Sequence, residues 1–219
     1  MQSVLIVDDD RILRKMIVRA IEKASDQLRL FEAADGQVAI DILDSQAIDL
    51  VVTDIKMPRV NGLMLLAYMN AFFSDVPCFV MTSYGTARLK SKMPYDLVKF
   101  YHKPVDAPEL AGEVLTALAT RPEPGTVQAF SLANFLDIII LEGLSCTVTV
   151  EAEEMEPCHL FIDEGMLLDA VMGERRGEAV AVEALARTDV NFSMERGCPD
   201  SILKKINRPV GKLIAESAQ

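Results

Sequence analysis

The chain has 219 residues, half of them hydrophobic and a quarter charged, with a mean hydropathy of +0.21. A largely disordered chain is thereby excluded, and at roughly 100–200 residues per domain two small domains are expected. Net charge is −11, from 33 acidic and 22 basic residues, and residues 126–219 carry 16 of the acids against 8 of the bases, so the C-terminal half suits a protein partner better than DNA.

No stretch reaches the ~18 consecutive apolar residues of a membrane span, and the start MQSVLIVDDD places aspartates where a secretory leader needs an apolar run. No membrane span is expected. The four cysteines (Cys78, Cys146, Cys158, Cys198) are scattered without a CxxC pair, which fits reduced thiols in a cytoplasm.

Ser3–Val7 is a short apolar run ending in Asp8 and Asp9, and Ile12, Leu13, Met16, Ile17, Ala20 and Ile21 follow at helical spacing. Strand then helix is the expectation. Leu28–Ala33 alternates, Gln37–Leu43 is helical, Leu50–Thr53 is a buried run, and Gly62–Phe73 is helical again. Val76–Met81 and Leu97–Tyr101 complete the strands, and Pro108–Ala119 is a helix with proline in its first turn. Five strands alternating with helices predict an α/β fold, a doubly wound parallel sheet covered on both faces, for residues 1–120.

Residues 121–128 carry two prolines and a glycine and read as a linker. Beyond them, Ser131 is a candidate N-cap for a helix to about Leu141, and Cys146–Val150, Cys158–Ile162 and Leu167–Val171 read as strands with turn signals at Glu164-Gly165 and Gly173. Glu178–Ala186 reads as a helix and Asn191–Met194 as a short strand. Ile202–Ala215 reads as a further helix kinked or split by Pro209. Residues 129–219 are therefore expected to form a smaller α+β domain. Arg175-Arg176 reads as an exposed turn, and Lys204, Lys205, Arg208 and Lys212 as a cationic helix face. Met155, Met166, Met172 and Met194 read as core, while Cys158 and His159 read as a packed thiol and a satisfied ring rather than metal ligands.

The residues that suggest chemistry stand at strand ends: Asp8 and Asp9 after the first strand, Asp54 after the third, Thr82 after the fourth and Lys103 after the fifth. In a doubly wound sheet these ends converge on one crevice. Clustered carboxylates repel, and an oxygen-rich acidic site with open positions suits a hard cation such as Mg²⁺. With Asp54 attacking phosphorus, the metal and Lys103 would offset charge on the transferring oxygens and Thr82 would donate a hydrogen bond, so formation of an aspartyl phosphate is the chemistry suggested. Taken singly, Asp9 or Asp10 is equally a candidate cap for the helix beginning near Arg11.

The strings VDDD, TDIKMPRVNG, MTSYG and YHKP, spread over about residues 2–120, resemble the receiver domain of two-component response regulators. That resemblance implies a flavodoxin-like fold and phosphorylation of Asp54 by a histidine kinase or a phosphotransfer protein. It implies that Asp8, Asp9, Asp54 and the backbone carbonyl of Lys56 hold Mg²⁺ and that Thr82 and Lys103 engage the phosphoryl group. It also implies a cis Lys103–Pro104 bond and an aromatic switch in which Phe100 turns inward as Thr82 moves. The stretch KSKMPYDLVKF departs from the family pattern, and Pro94 would shorten the family's fourth helix.

The second domain resembles the PATAN output module over about residues 128–215, through SLANFLDIIILEG, CTVTV, the hairpin HLFIDEGMLLDAVMGERRGEAVAVEAL and NFSMERGCP. Together these readings describe a response regulator whose output domain binds a downstream protein. The alternative is a transcription regulator with an atypical DNA-binding output. No separate catalytic domain is expected, because no nucleophile–base spacing or metal-ligand set can be read beyond residue 126.

Overall fold

The computed structural model describes residues 1–83, 98–120, 131–187, 190–199 and 202–217. The expected fourth helix with Pro94, and the linker over 121–128, lie outside the described residues. Two compact units are present, Met1–Ala129 and Phe130–Gln219.

In the first unit, β1 (Gln2–Val7), α1 (Arg11–Ala24), β2 (Leu28–Ala33), α2 (Gly36–Ser45), β3 (Leu50–Asp54), α3 (Gly62–Phe72), β4 (Cys78–Thr82), β5 (Val98–His102) and α4 (Ala107–Ala119) follow one another. The strands form one parallel sheet in the order β2-β1-β3-β4-β5, as expected for a doubly wound fold. Their runs lack polar alternation because both faces are buried. Val4, Ile6, Val52 and Phe79 pack against Ile17 and Ile21 of α1 and Leu110 and Val114 of α4, while the intervening Leu5, Val51 and Val80 are also fully buried.

Each described helix of this unit starts where a short polar side chain accepts its first free amides. Asp10 caps α1 through Ile12 and Leu13, Asp35 caps α2, Asn61 caps α3 and Asp106 caps α4. Because Asp10 takes the capping role, the α1 N-terminus makes no such demand on Asp8 or Asp9.

The second unit contains α5 (Leu132–Glu142), β6 (Cys146–Ala152), β7 (Met155–Asp163), β8 (Met166–Met172), β9 (Arg175–Arg176), α6 (Glu178–Leu185), β10 (Asn191–Arg196), β11 (Arg208–Pro209) and α7 (Val210–Ser217). Its antiparallel sheet runs β10-β6-β7-β8-β11, with β9 paired to β8. Val148, Val150, Leu160 and Ile162 are buried, as are Phe135 and Ile139 of α5, Ala181 of α6 and Leu213 of α7, and the Phe135 ring lies 4.8 Å from that of Phe192. Glu164 and Gly165 both have positive φ, the twist that a two-residue hairpin needs. Of the four methionines expected in the core, Met172 and Met194 are buried, whereas Met155 and Met166 are half-buried.

Two expectations are corrected. Residues 202–207 are not helical: Ile206 donates its N–H to the Leu168 carbonyl at 2.8 Å, Arg208–Pro209 pair with β8, and α7 starts only at Val210. Pro209 has no N–H to donate and disfavours helical geometry at Arg208, so the helix begins after it. Lys204, Lys205 and Arg208 therefore share no helix face with Lys212. Arg175-Arg176 is exposed as expected but forms a short strand rather than a turn. These residues pair with Val171 and Met172, and the Arg176 guanidinium grips the fully buried Asp169 carboxylate at 2.5 and 3.1 Å. The other Asp169 oxygen accepts from the Ala170 N–H at 2.9 Å.

Truncating one partner of a buried pair strands the other charge, typically at a cost of about 3–5 kcal/mol. Arg176→Ala should therefore lower the melting temperature of the second unit markedly in a calorimetric scan. Adding Asp169→Asn should recover part of the loss. A parental melting temperature for Arg176→Ala would show that the pair does not support the sheet.

Candidate functional site

The crevice forms where strand order reverses, at the carboxyl ends of β1, β3, β4 and β5. Val7 stands opposite Thr53 and Asp54 opposite Met81, so Asp8 and Asp54 emerge side by side one residue further on. Thr82 ends β4 opposite His102, and the Lys103 N–H donates to the Thr82 carbonyl at 2.8 Å. The register thus gathers Asp8, Asp9, Asp54, Thr82 and Lys103, as the sequence predicts. Lys103–Pro104 is a cis bond, as the family resemblance implies.

One carboxylate oxygen from each of Asp8, Asp9 and Asp54 lies within 4.8 Å of the others. Asp8 is fully buried, Asp54 nearly so, and Asp9 exposed. The Lys103 ammonium bridges the buried two, 3.0 Å from Asp8 Oδ2 and 2.9 Å from Asp54 Oδ2. Burial pushes the Asp54 carboxyl above the usual carboxylate range; the Lys103 bond and charge and the Lys56 N–H oppose this, while Asp8 adds to it. For Lys103, burial alone would favour the neutral amine, but Asp54 and Asp8 outweigh it and raise its pKa, so it stands as an ammonium.

Thr82 and Phe100 are both buried, and Phe100 pairs with Val80, two residues before Thr82 on β4. The Lys56 side chain is exposed, while its N–H serves the Asp54 carboxylate. In the second unit Cys158 is buried, with its thiol pushed up to about 12 by burial and, to a lesser extent, by Glu183. The His159 ring nitrogen is 3.0 Å from Thr149 Oγ1.

Two supporting residues carried no assigned role in the sequence. Arg14 of α1 donates to the Asp8 carbonyl and to Glu32 at 3.2 Å, which fixes the turn bearing the acids. Its only sequence signal is an arginine three and four residues before Ile17 and Val18, on the apolar face of the helix. Gly62 lies against Asp54: a Cβ there would fall 1.9 Å from the Asp54 carbonyl oxygen, and its N–H donates to the Ile55 carbonyl at 3.0 Å. The Asn-Gly pair before a helical period signals a cap, but not this close approach.

An oxygen-rich acidic pocket with one ammonium is suited to a hard divalent cation and to an anionic ligand held beside it. A family model described as the response regulator receiver domain matches residues 4–115. The chain is similar to the protein-glutamate methylesterase/protein-glutamine glutaminase of Treponema pallidum, with 35% identity over 81 residues, 37% of this chain and 20% of that protein. It is similar to sporulation initiation phosphotransferase F of Bacillus subtilis, with 29% identity over 114 residues, 52% of this chain and 90% of that protein. The chain thus spans only a fifth of the methylesterase. A solved CheY-like receiver domain protein from Methanospirillum hungatei is 20% identical, with a TM-score of 0.47 over 55% of this chain and 96% of its own.

Gly62→Ala should force the β3–α3 turn away from the Asp54 carbonyl and destabilise the first unit by about 1–3 kcal/mol or more, the usual range for overpacking. Urea unfolding measures this loss. An unchanged midpoint would mean that the turn can move at no cost.

Proposed function

Since the chain belongs to the family of response regulator receiver domains, we propose that it is a two-component response regulator whose Asp54 accepts a phosphoryl group from a histidine kinase or a phosphotransfer protein. The observation that carries this reading is the Lys103 ammonium, 2.9 Å from Asp54 and 3.0 Å from Asp8, with Asp9 beside them at the strand ends. Transfer forms a bond from an Asp54 oxygen to phosphorus and breaks the bond to the donor nitrogen, whose electron pair leaves with the imidazole. Lys103 neutralises charge on the transferring oxygens, and the Thr82 hydroxyl donates to one of them.

The three carboxylate oxygens within 4.8 Å of one another suit a small, hard cation. Asp8, Asp9, Asp54 and the Lys56 backbone carbonyl would hold Mg²⁺, which when bound neutralises developing phosphoryl charge. Engagement of Thr82 by the phosphoryl group would shift the packing around the Phe100 ring, which is already buried, a change available in only one state.

The proposed organisation is a receiver over 1–120, a linker over 121–128 and an output domain over 129–219, in the cytoplasm. A PATAN-like identity for that output domain is supported by its hairpin at Glu164–Gly165, the Gly177 turn into α6 and the capped helix after Ser131. Its proposed task is binding a downstream protein, with no separate catalytic activity. Its excess of acids and the absence of the expected four-residue cationic helix face favour a protein over DNA. Among the described residues, no helix is long and apolar enough to cross a membrane.

Incubation with acetyl phosphate and Mg²⁺ should add one phosphoryl group, read by phosphate-affinity electrophoresis, and Asp54→Asn or chelation should abolish it. Thr82→Ala should still be phosphorylated at Asp54 but should lose the accompanying change in hydrogen exchange around Phe100. Labelling that survives Asp54→Asn or chelation would refute the assignment.

A further inference from the structure

We propose that Arg59, acting through Asp35, is a positioning residue that holds the β3–α3 turn in the shape required by the cation and phosphoryl site. This inference rests on the reading of that site given above. The turn, Ile55–Asn61, carries the Lys56 N–H that serves Asp54 and the Lys56 carbonyl assigned to the cation. Its feet are fixed close to the site, where the Ile55 N–H donates to the Met81 carbonyl at 3.2 Å and the Gly62 N–H to the Ile55 carbonyl at 3.0 Å.

The apex is fixed to a different element. Arg59 has φ +60°, a left-handed conformation that costs a residue with a Cβ about 1 kcal/mol or more, yet neither glycine nor asparagine occupies the position. In that conformation its guanidinium reaches across to Asp35, the cap of α2, and forms an ion pair with it. The Asp35 side chain is 2% exposed, and its other oxygen accepts from the Gln37 and Val38 amides at 2.9 and 3.1 Å. Burial would raise its carboxyl pKa, but the Val38, Arg59 and Gln37 donors hold it below the usual range, so Asp35 stays ionised. A second strap lies beside the first: the Gly36 N–H donates to the Val60 carbonyl at 2.9 Å, and a Cβ on Gly36 would fall 2.5 Å from Val60 Cγ1.

Exposed ion pairs contribute little to stability, and Arg59 is itself mostly exposed. The buried partner makes this pair different. Asp35 couples the start of α2 to the apex of the turn whose feet hold Asp54, and without the ion pair the left-handed residue 59 is held only through the neighbouring Gly36–Val60 bond. The Lys56 carbonyl would then sample a wider range of directions, and cation affinity should fall by about tenfold, the lower end of what loss of a supporting contact costs a metal site.

The test is Mg²⁺ titration of the full chain by calorimetry with no phosphodonor present. Arg59→Ala removes the ion pair while keeping the Cβ that makes the left-handed backbone costly. Asp35→Asn keeps the helix cap and removes the charge. Each should weaken Mg²⁺ binding about tenfold, the double variant should bind no worse than the weaker single one, and Arg59→Lys should restore most of the affinity. Parental Mg²⁺ affinity in Arg59→Ala, or a double variant whose loss is the product of the two, would overturn the positioning role and leave the site reading intact. A parent chain that binds no Mg²⁺, or that binds it equally well as Asp9→Asn, would overturn the site reading itself and this inference with it.

Discussion

Two carboxylates buried at neighbouring strand ends cannot both stay ionised without a cation between them, and Lys103 stands there, 3.0 Å from Asp8 and 2.9 Å from Asp54. Much of the first unit serves that contact. Parallel pairing of β1 with β3 and of β4 with β5 brings residues nearly a hundred positions apart to one crevice. Arg14 fixes the Asp8 carbonyl, and the close approach of Gly62 packs the start of α3 against Asp54. Because the pocket holds more acid than Lys103 alone offsets, it retains a demand for further positive charge, and the proposed chemistry follows from that imbalance.

The second unit meets a similar constraint by other means. Asp169 is fully buried in an antiparallel sheet, and the short β9 strand places Arg176 against it. No open acidic cluster results, since this carboxylate's bonds are taken by one guanidinium and one amide. The contrast between the units is physical. One leaves acids partly uncompensated beside solvent, and the other pairs its fully buried Asp169 with an arginine.

How much was legible in the sequence depended on the range of the interaction concerned. Continuous apolar runs such as Ser3–Val7 and Leu50–Thr53 gave the parallel strands directly, because a strand buried on both faces has no polar alternation. Caps at Ser131 and before Arg11, and the Glu164-Gly165 turn, were also readable, since each acts over two or three residues. The site residues could be read because topology alone carries strand ends to one place. The segment before Pro209 was misread, because its apolar residues fit helical spacing while pairing with β8 was decided by distant partners. Arg176 and Asp169, seven positions apart, and Arg59 and Asp35, twenty-four apart, are tertiary pairs that leave no local period.

The central claim is that Asp54, set apart by its place beside Lys103, Asp8 and Asp9, is the residue that carries the phosphoryl group. Borohydride reduction converts an aspartyl phosphate to homoserine, which marks its position permanently. After treatment with acetyl phosphate and Mg²⁺, reduction and peptide mass spectrometry, homoserine should be found at position 54 and nowhere else. Homoserine at Asp8, Asp9 or any other acid, or none in a fully folded sample, would contradict the account.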